Sequence, residues 1–237
     1  MRNGPRRASE PLGLRAWYRE VYTASGGLVT EWTDKSGNAF HATASGGARP
    51  SEIASDAGVN NNPSFDFNNN DAFTGVAFSN VISATAFSVY VGYTTTTLGY
   101  NNSALEDNAA FICRTTTPYH FAFMTKSGGS SGLYAAIDTD GGASGNAVLA
   151  GPVTATINTW KIAVMRKNGT TLFVRNRGGT EASAACGDAS DLSDIFAIGG
   201  PSTGFSGRLF EVRFYNKSHS AGAQDTIMSN MAAYAAL

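Results

Sequence analysis

The side chains best suited to chemistry in this chain sit in polar, aromatic-containing segments. Tyr100, Asn101 and Asn102 fall in one of them, YTTTTLGYNNSALEDN (93–108), which also carries Glu106 and Asp107. Tyr119-His120 forms a second group. The stretch from Asp138 to Asn146 forms a third, with Asp138, Asp140 and Asn146 as its hydrogen-bonding members. A flat ring can lie against the C–H face of a sugar while short amide, imidazole and carboxylate groups bond its hydroxyls. These eight residues are therefore the candidate glycan-binding set, with ordinary polar loop as the competing reading. Asp138-x-Asp140-Gly141 also resembles the start of a calcium loop, because paired carboxylates beside a glycine turn suit a hard cation. The third and bidentate ligands of an EF-hand are missing, so a plain turn competes with a Ca²⁺ site at Asp138 and Asp140. No other cofactor is expected.

Catalytic constellations are scarce. The three histidines, His41, His120 and His219, show no partner pattern for a serine nucleophile, and Cys113 with His120 is a pairing that chance supplies equally well. Glu211 with Arg213 is the one charged pair on a clear strand face, where a solvated surface salt bridge is expected. Cys113 and Cys186 have no metal-like spacing and read as two buried thiols.

The elements that must position these residues are strands. Ala86–Thr94 alternates, with Phe87, Val89, Val91 and Tyr93 on one face. Further strands are predicted at Phe111–Arg114, Tyr119–Thr125, Gly132–Asp138, Trp160–Arg166, Thr171–Arg175, Ile195–Gly199 and Arg208–Tyr215. Asn168-Gly169 between two β-rich runs predicts a tight hairpin. In Arg208–Tyr215, the alternation puts Phe210, Val212 and Phe214 on one face and Glu211 and Arg213 on the other. Only the C-terminus reads as helical. Over 221–236, Ile227, Met231 and Tyr234 recur at helical spacing behind a Ser220 N-cap, and such a helix is expected at an end or edge of the sandwich.

Composition agrees. The 237 residues are 42% hydrophobic, 11% aromatic and only 15% charged, with 27 glycines, as expected of short strands joined by many turns. The net charge of −1 comes without a run of either sign, so neither nucleic acid nor anionic membrane is an expected partner. Residues 1–13 have no period and carry Arg2, Arg6 and Arg7 beside two prolines; they read as an extended arm that docks elsewhere, ahead of one domain over 14–237. With no signal-peptide pattern, synthesis in the host cytoplasm is the expectation.

Trp17-Tyr18, the stretch EWTDKSGNAFHATASGGARPS (31–51) and NNPSFDFNNNDAF (61–73) resemble the LamG-like jelly-roll family of the concanavalin A-like lectin/glucanase superfamily. Trp32, Asp34, Ser36, Gly37, Asn38, His41, Ala42, Arg49 and Pro50 match its motif, while Asn69 stands where the family's turn has glycine. The resemblance implies an all-β antiparallel sandwich, a jelly roll with a C-terminal α-helix. Locally, Asp34 and Asn38 suit bonds across a tight turn with Gly37 at its positive-φ position, Trp17 and Trp32 read as core anchors, and His41 as a hydrogen-bonded structural residue. Retaining glucanases of that superfamily carry Glu-x-Asp-x-x-Glu, and here no two of the seven glutamates are five apart. Domains of this kind occur in phage virions. The resemblance thus implies a non-enzymatic virion surface protein (capsid decoration, head spike or tail-associated) that stabilises the particle or binds host surface glycan. Its partners would be other virion proteins, host polysaccharide and further copies of itself. A glycan-degrading enzyme, a cellular carbohydrate-binding module and a purely structural cement protein are the alternatives.

Overall fold

The computed structural model describes residues 11–68, 70–98, 109–114, 121–126, 131–137, 148–187, 192–200 and 205–237. Sixteen strands form: β1 (Leu14–Ser25), β2 (Leu28–Asp34), β3 (Ala42–Thr43), β4 (Ser51–Asp56), β5 (Asn62–Phe67), β6 (Ala72–Ala77), β7 (Ala86–Thr95), β8 (Ala109–Arg114), β9 (Phe121–Lys126), β10 (Gly132–Ile137), β11 (Val148–Val153), β12 (Lys161–Asn168), β13 (Thr171–Asn176), β14 (Ala182–Ala185), β15 (Ile195–Gly199) and β16 (Gly207–Tyr215). A short helix α1 (Phe78–Val81) follows β6, and α2 (Ala221–Ala235) ends the chain. Every described pairing is antiparallel. The strands follow in the order β11-β10-β9-β8-β15-β6-β3-β2-β4-β5-β16-β7-β12-β13-β14, with β1 joining β16 to β2. This ribbon folds over itself into an all-β sandwich with a C-terminal helix.

Alternation explains the layering. Phe87, Val89, Val91 and Tyr93 of β7 all enter the main core, where they meet Phe121 and Phe123 of β9, Leu133, Ala135 and Ile137 of β10, and Ile198 of β15. Trp32 is fully buried among Phe65 at 4.7 Å and Phe73 at 5.8 Å between ring centroids. Fully burying an aromatic or branched side chain contributes about 1.5–3 kcal/mol, so this dense cluster outweighs any single polar contact in holding the layers together.

Three expectations need correcting. The alternation in β16 is interrupted: its register against β7 slips between Leu209, opposite Tyr93, and Glu211, opposite Gly92. That bulge puts two consecutive residues on one face. Leu209, Val212 and Phe214 therefore enter the main core, whereas Phe210 joins Tyr215 on the outer face. The helix α2, capped by Ser220 as expected, covers that outer face and not an edge or end. Ile227, Met228 and Met231 pack onto Tyr90, Ile162, Val164 and Phe210. Third, Asn168 is the last paired residue of the β12–β13 hairpin, opposite Thr171, so the turn residues are Gly169, at φ 55°, and Thr170.

The stretch just before β1 is tied to the body: Gly13 O accepts from the Asn216 N–H at 3.0 Å. Residues 1–10, with Arg2, Arg6 and Arg7, lie outside the described residues.

Candidate functional site: a cleft at one end of the sandwich

The strand registers define the two ends of the sandwich. Ile137 lies opposite both Phe121 and Val148, so the strand ends flanking 115–120 and 138–147 sit side by side. Those segments carry Tyr119, His120, Asp138, Asp140 and Asn146. The segment with Tyr100, Asn101 and Asn102 is anchored at the other end, because Ala109 pairs with Thr125 near the far end of β9. All eight nominated residues lie outside the described ones.

The first end also holds a cleft of about 410 Å³, lined by Arg15, Ser79, Asn80, Ile82, Ser83, Ala84, Leu192 and Asn216. Its wall is α1, whose Phe78 ring packs 4.5 Å from that of Phe121, beside the 115–120 anchor. The Phe78 and Ser79 N–H groups donate to Asp194 O and Leu192 O at 2.9 and 2.8 Å, which fixes α1 against the chain entering β15. Arg15 comes from the start of β1, and Asn216 follows the last residue of β16. Three distant segments thus supply a guanidinium, two carboxamides and two hydroxyls to one concavity. Among the described residues, Arg15 is the only charged one in the lining. The volume falls in the range of small-ligand sites, and every polar group present is a hydrogen-bond former rather than a nucleophile paired with a base.

In the motif at 32–42, Asp34, Gly37 and His41 perform the local tasks expected of them, whereas the Asn38 side chain donates its bonds and accepts none from a backbone N–H among the described residues. Asp34, nearly buried, accepts from the N–H of Trp17 at 2.9 Å, Ser36 at 2.8 Å and Phe40 at 3.0 Å. Gly37 has φ 89°, the left-handed region that the turn requires. The Asp34 N–H donates to His41 Nδ1 at 3.1 Å, so His41 is a structural acceptor. Beyond the turn, Asn38 Nδ2 donates to the Arg15 carbonyl at 2.7 Å. The Ser36 hydroxyl lies 2.8 Å from both that carbonyl and Asp34 Oδ2, and its single proton serves one of them at a time.

Trp32 is the expected core anchor; Trp17 is not. Trp17 projects from the opposite face of β1, where its indole N–H donates to Glu211 Oε1 at 2.7 Å. Glu211 and Arg213 are also misread as a solvated pair. Glu211 is fully buried and Arg213 2% exposed, because α2 and Trp17 cover them. Glu211 Oε1 accepts from Arg213 Nε at 2.6 Å and Oε2 from Arg19 Nη2 at 2.7 Å. Arg19 in turn lies between the rings of Trp17, 5.1 Å away, and Tyr234 of α2, 4.1 Å away. Burial, with the Glu20 carboxylate nearby, pushes the Tyr234 phenol up to about 12 despite Arg19. A carboxylate held by three donors beneath a helix is a structural hub with no route to substrate.

Cys186, the residue after β14, is buried; the side chain of Cys113 lies outside the described residues. Among the described residues, no three His, Cys, Asp or Glu side chains come together as a metal site, and no helix is long and apolar enough to cross a membrane. Sequence reasoning missed Arg15, Asn80 and Asn216 as a group, because only the β1–β16 pairing and the seat of α1 bring positions so far apart together.

No protein-family model and no curated protein matches the chain. Solved structures do. Domain 4 of AbnA, a GH43 extracellular arabinanase from Geobacillus stearothermophilus solved in complex with arabinotriose, has a TM-score of 0.65 at 14% identity, covering 93% of this chain and 98% of that one. The binding domain of Paraclostridial Mosquitocidal Protein 1 has a TM-score of 0.64 at 12% identity, over 92% of this chain and 52% of that one. Trypanosoma rangeli sialidase has a TM-score of 0.61 at 14% identity, over 94% of this chain. The chain spans about a third (34%) of the sialidase's length. Identities this low establish a shared fold.

Proposed function

We propose that this domain is a non-enzymatic, lectin-like module that binds a saccharide in the end cleft. The observation that carries the reading is the cleft itself: a guanidinium, two carboxamides and two hydroxyls converge in about 410 Å³, with no carboxylate among the described lining residues. Such a set recognises hydroxyls and ring oxygens without supplying the paired acids of glycoside hydrolysis. The shared fold with a domain solved with arabinotriose supports a saccharide as the ligand class. Tyr119, His120, Asp138, Asp140 and Asn146 are proposed as further glycan contacts on their chemistry alone.

The setting we propose is a virion surface, where the domain decorates the shell or touches host polysaccharide, with other virion proteins as neighbours. The resemblance to phage LamG-like domains and the basic segment around Arg2, Arg6 and Arg7 support it. A glycan array read with the wild type, Asn80→Ala and Asn216→Ala tests the binding reading; signal that drops in both variants is expected, and no binding by the wild type overturns it. New reducing ends from host polysaccharide would overturn the non-enzymatic part. Mass spectrometry of purified virions, and incorporation of a chain lacking residues 1–10, test the setting; unchanged incorporation would refute docking through the arm.

A further inference from the structure

We propose that the end cleft selects acidic saccharides, with Arg15 receiving the carboxylate of a uronic or other acidic sugar residue; this rests on the saccharide-binding reading above. Among the described residues, Arg15 is the sole charge in the cleft lining. Five other described arginines have carboxylate partners: Arg19 and Arg213 on Glu211, Arg166 on Glu181, Arg175 on Asp225 and Arg208 on Asp56. Arg15 has none among the described residues. Arg49 is also without one, but it does not line the cleft.

The Arg15 side chain is nonetheless held in place. Its Nε donates to the Asn80 carbonyl at 2.9 Å, and its guanidinium lies 5.8 Å from the centroid of the Phe40 ring. Its own carbonyl is gripped by Asn38 and reached by Ser36. The Phe40 N–H is fixed by Asp34. The turn over 34–40 therefore secures Arg15 at the backbone and supplies the ring on which its head rests.

With Nε engaged, the two terminal nitrogens remain as the donor fork. A planar fork matches a carboxylate in two parallel charge-assisted bonds, and a head already immobilised loses little freedom on binding. Asn80, Asn216, Ser79 and Ser83 line the same cavity and suit the hydroxyls of the same sugar. A held cation without a counter-charge among the described residues, in a lining whose other described members are neutral, suits recognition of an anionic sugar. Neutral sugars would use the amides and hydroxyls alone.

The test uses the full chain and a pair of probes, an oligogalacturonate and the same oligosaccharide with its carboxyls reduced to alcohols, by calorimetry at low and moderate salt. The wild type is expected to bind the acidic form at least about tenfold more tightly, as a charged hydrogen bond warrants, with the preference shrinking as salt rises. Arg15→Ala should remove that preference and Arg15→Lys should keep part of it, read in each variant as the ratio of its affinities for the two probes. Unchanged thermal midpoints and the Lys variant separate loss of recognition from loss of fold. Equal affinity of the wild type for both probes, or a preference that survives in Arg15→Ala, overturns acid selection while leaving saccharide binding intact. Failure to bind either probe overturns this inference; failure across the glycan array overturns the saccharide reading as well.

Discussion

Replacing Glu211 with alanine should destabilise this protein more than almost any other single loss of a charge. The carboxylate is fully buried and accepts from Trp17 Nε1, Arg19 Nη2 and Arg213 Nε, all within 2.7 Å. Removing it takes a hydrogen-bonded carboxylate from two guanidinium groups, one 2% exposed and the other 13% exposed at its side chain. Breaking a buried ion pair from one side costs about 3–5 kcal/mol. For a chain of this size that corresponds to a fall of about 6–20 °C in the unfolding midpoint. Glu211→Gln keeps the shape and an acceptor for Trp17 but not the charge, so it should fall between wild type and alanine. Urea unfolding followed by tryptophan fluorescence, which reports on Trp17 beside the hub, gives both free energies. A loss below about 1 kcal/mol in Glu211→Ala, the scale of an exposed pair, would refute the reasoning, because it would mean that water reaches the cluster.

Other outcomes are as specific. Asp34→Ala should cost about 3 kcal/mol or more, since three backbone N–H groups lose their acceptor, and should also weaken saccharide binding by freeing Phe40 and Arg15; chemical denaturation and calorimetry measure the two effects. Burial acts to raise the Asp56 carboxyl, but Ser64, the Gly58 N–H and Arg208 outweigh it and hold it below its ordinary value. Its stabilisation is therefore present above the unfolded value of about 3.9 and is lost as pH falls through the lower folded value, so Asp56→Asn should flatten the stability profile below about pH 4. Gly92→Ala would place a methyl group 2.2 Å from Phe210 Cζ and should cost about 1–3 kcal/mol. Adding Phe210→Leu should recover part of that loss, and a double-mutant cycle showing no coupling would contradict the contact.

The strands most legible in the sequence were those with one aliphatic or aromatic face, such as β7 and β15, whose starts were read at Ala86 and Ile195. β1 escaped notice because both of its faces are occupied: Ala16 and Tyr18 enter the core, while Trp17 and Arg19 serve the buried hub on the reverse side. Its pattern therefore never alternates cleanly between apolar and polar. The bulge in β16 was invisible for a related reason. Leu209 and Phe210 are both apolar, so nothing in their types says that the pair straddles a register slip and that Phe210 faces α2. The turn chemistry of Asp34 and Gly37 was readable because those bonds are mostly local. The reach of Asn38 to the Arg15 carbonyl, 23 residues away, was not. Site residues were sought in continuous polar segments, whereas the cleft is assembled from chain separated by up to 201 positions, Arg15 to Asn216, which only pairing across β1 and β16 brings together.

The strand order has two free rims, β11 at one extremity and β14 at the other, and these two strands pack against each other. β14 is only four residues long, and β11 contains Pro152, which has no N–H to offer an incoming strand. Copies crowded shoulder to shoulder would thus meet few open backbone groups along their flanks.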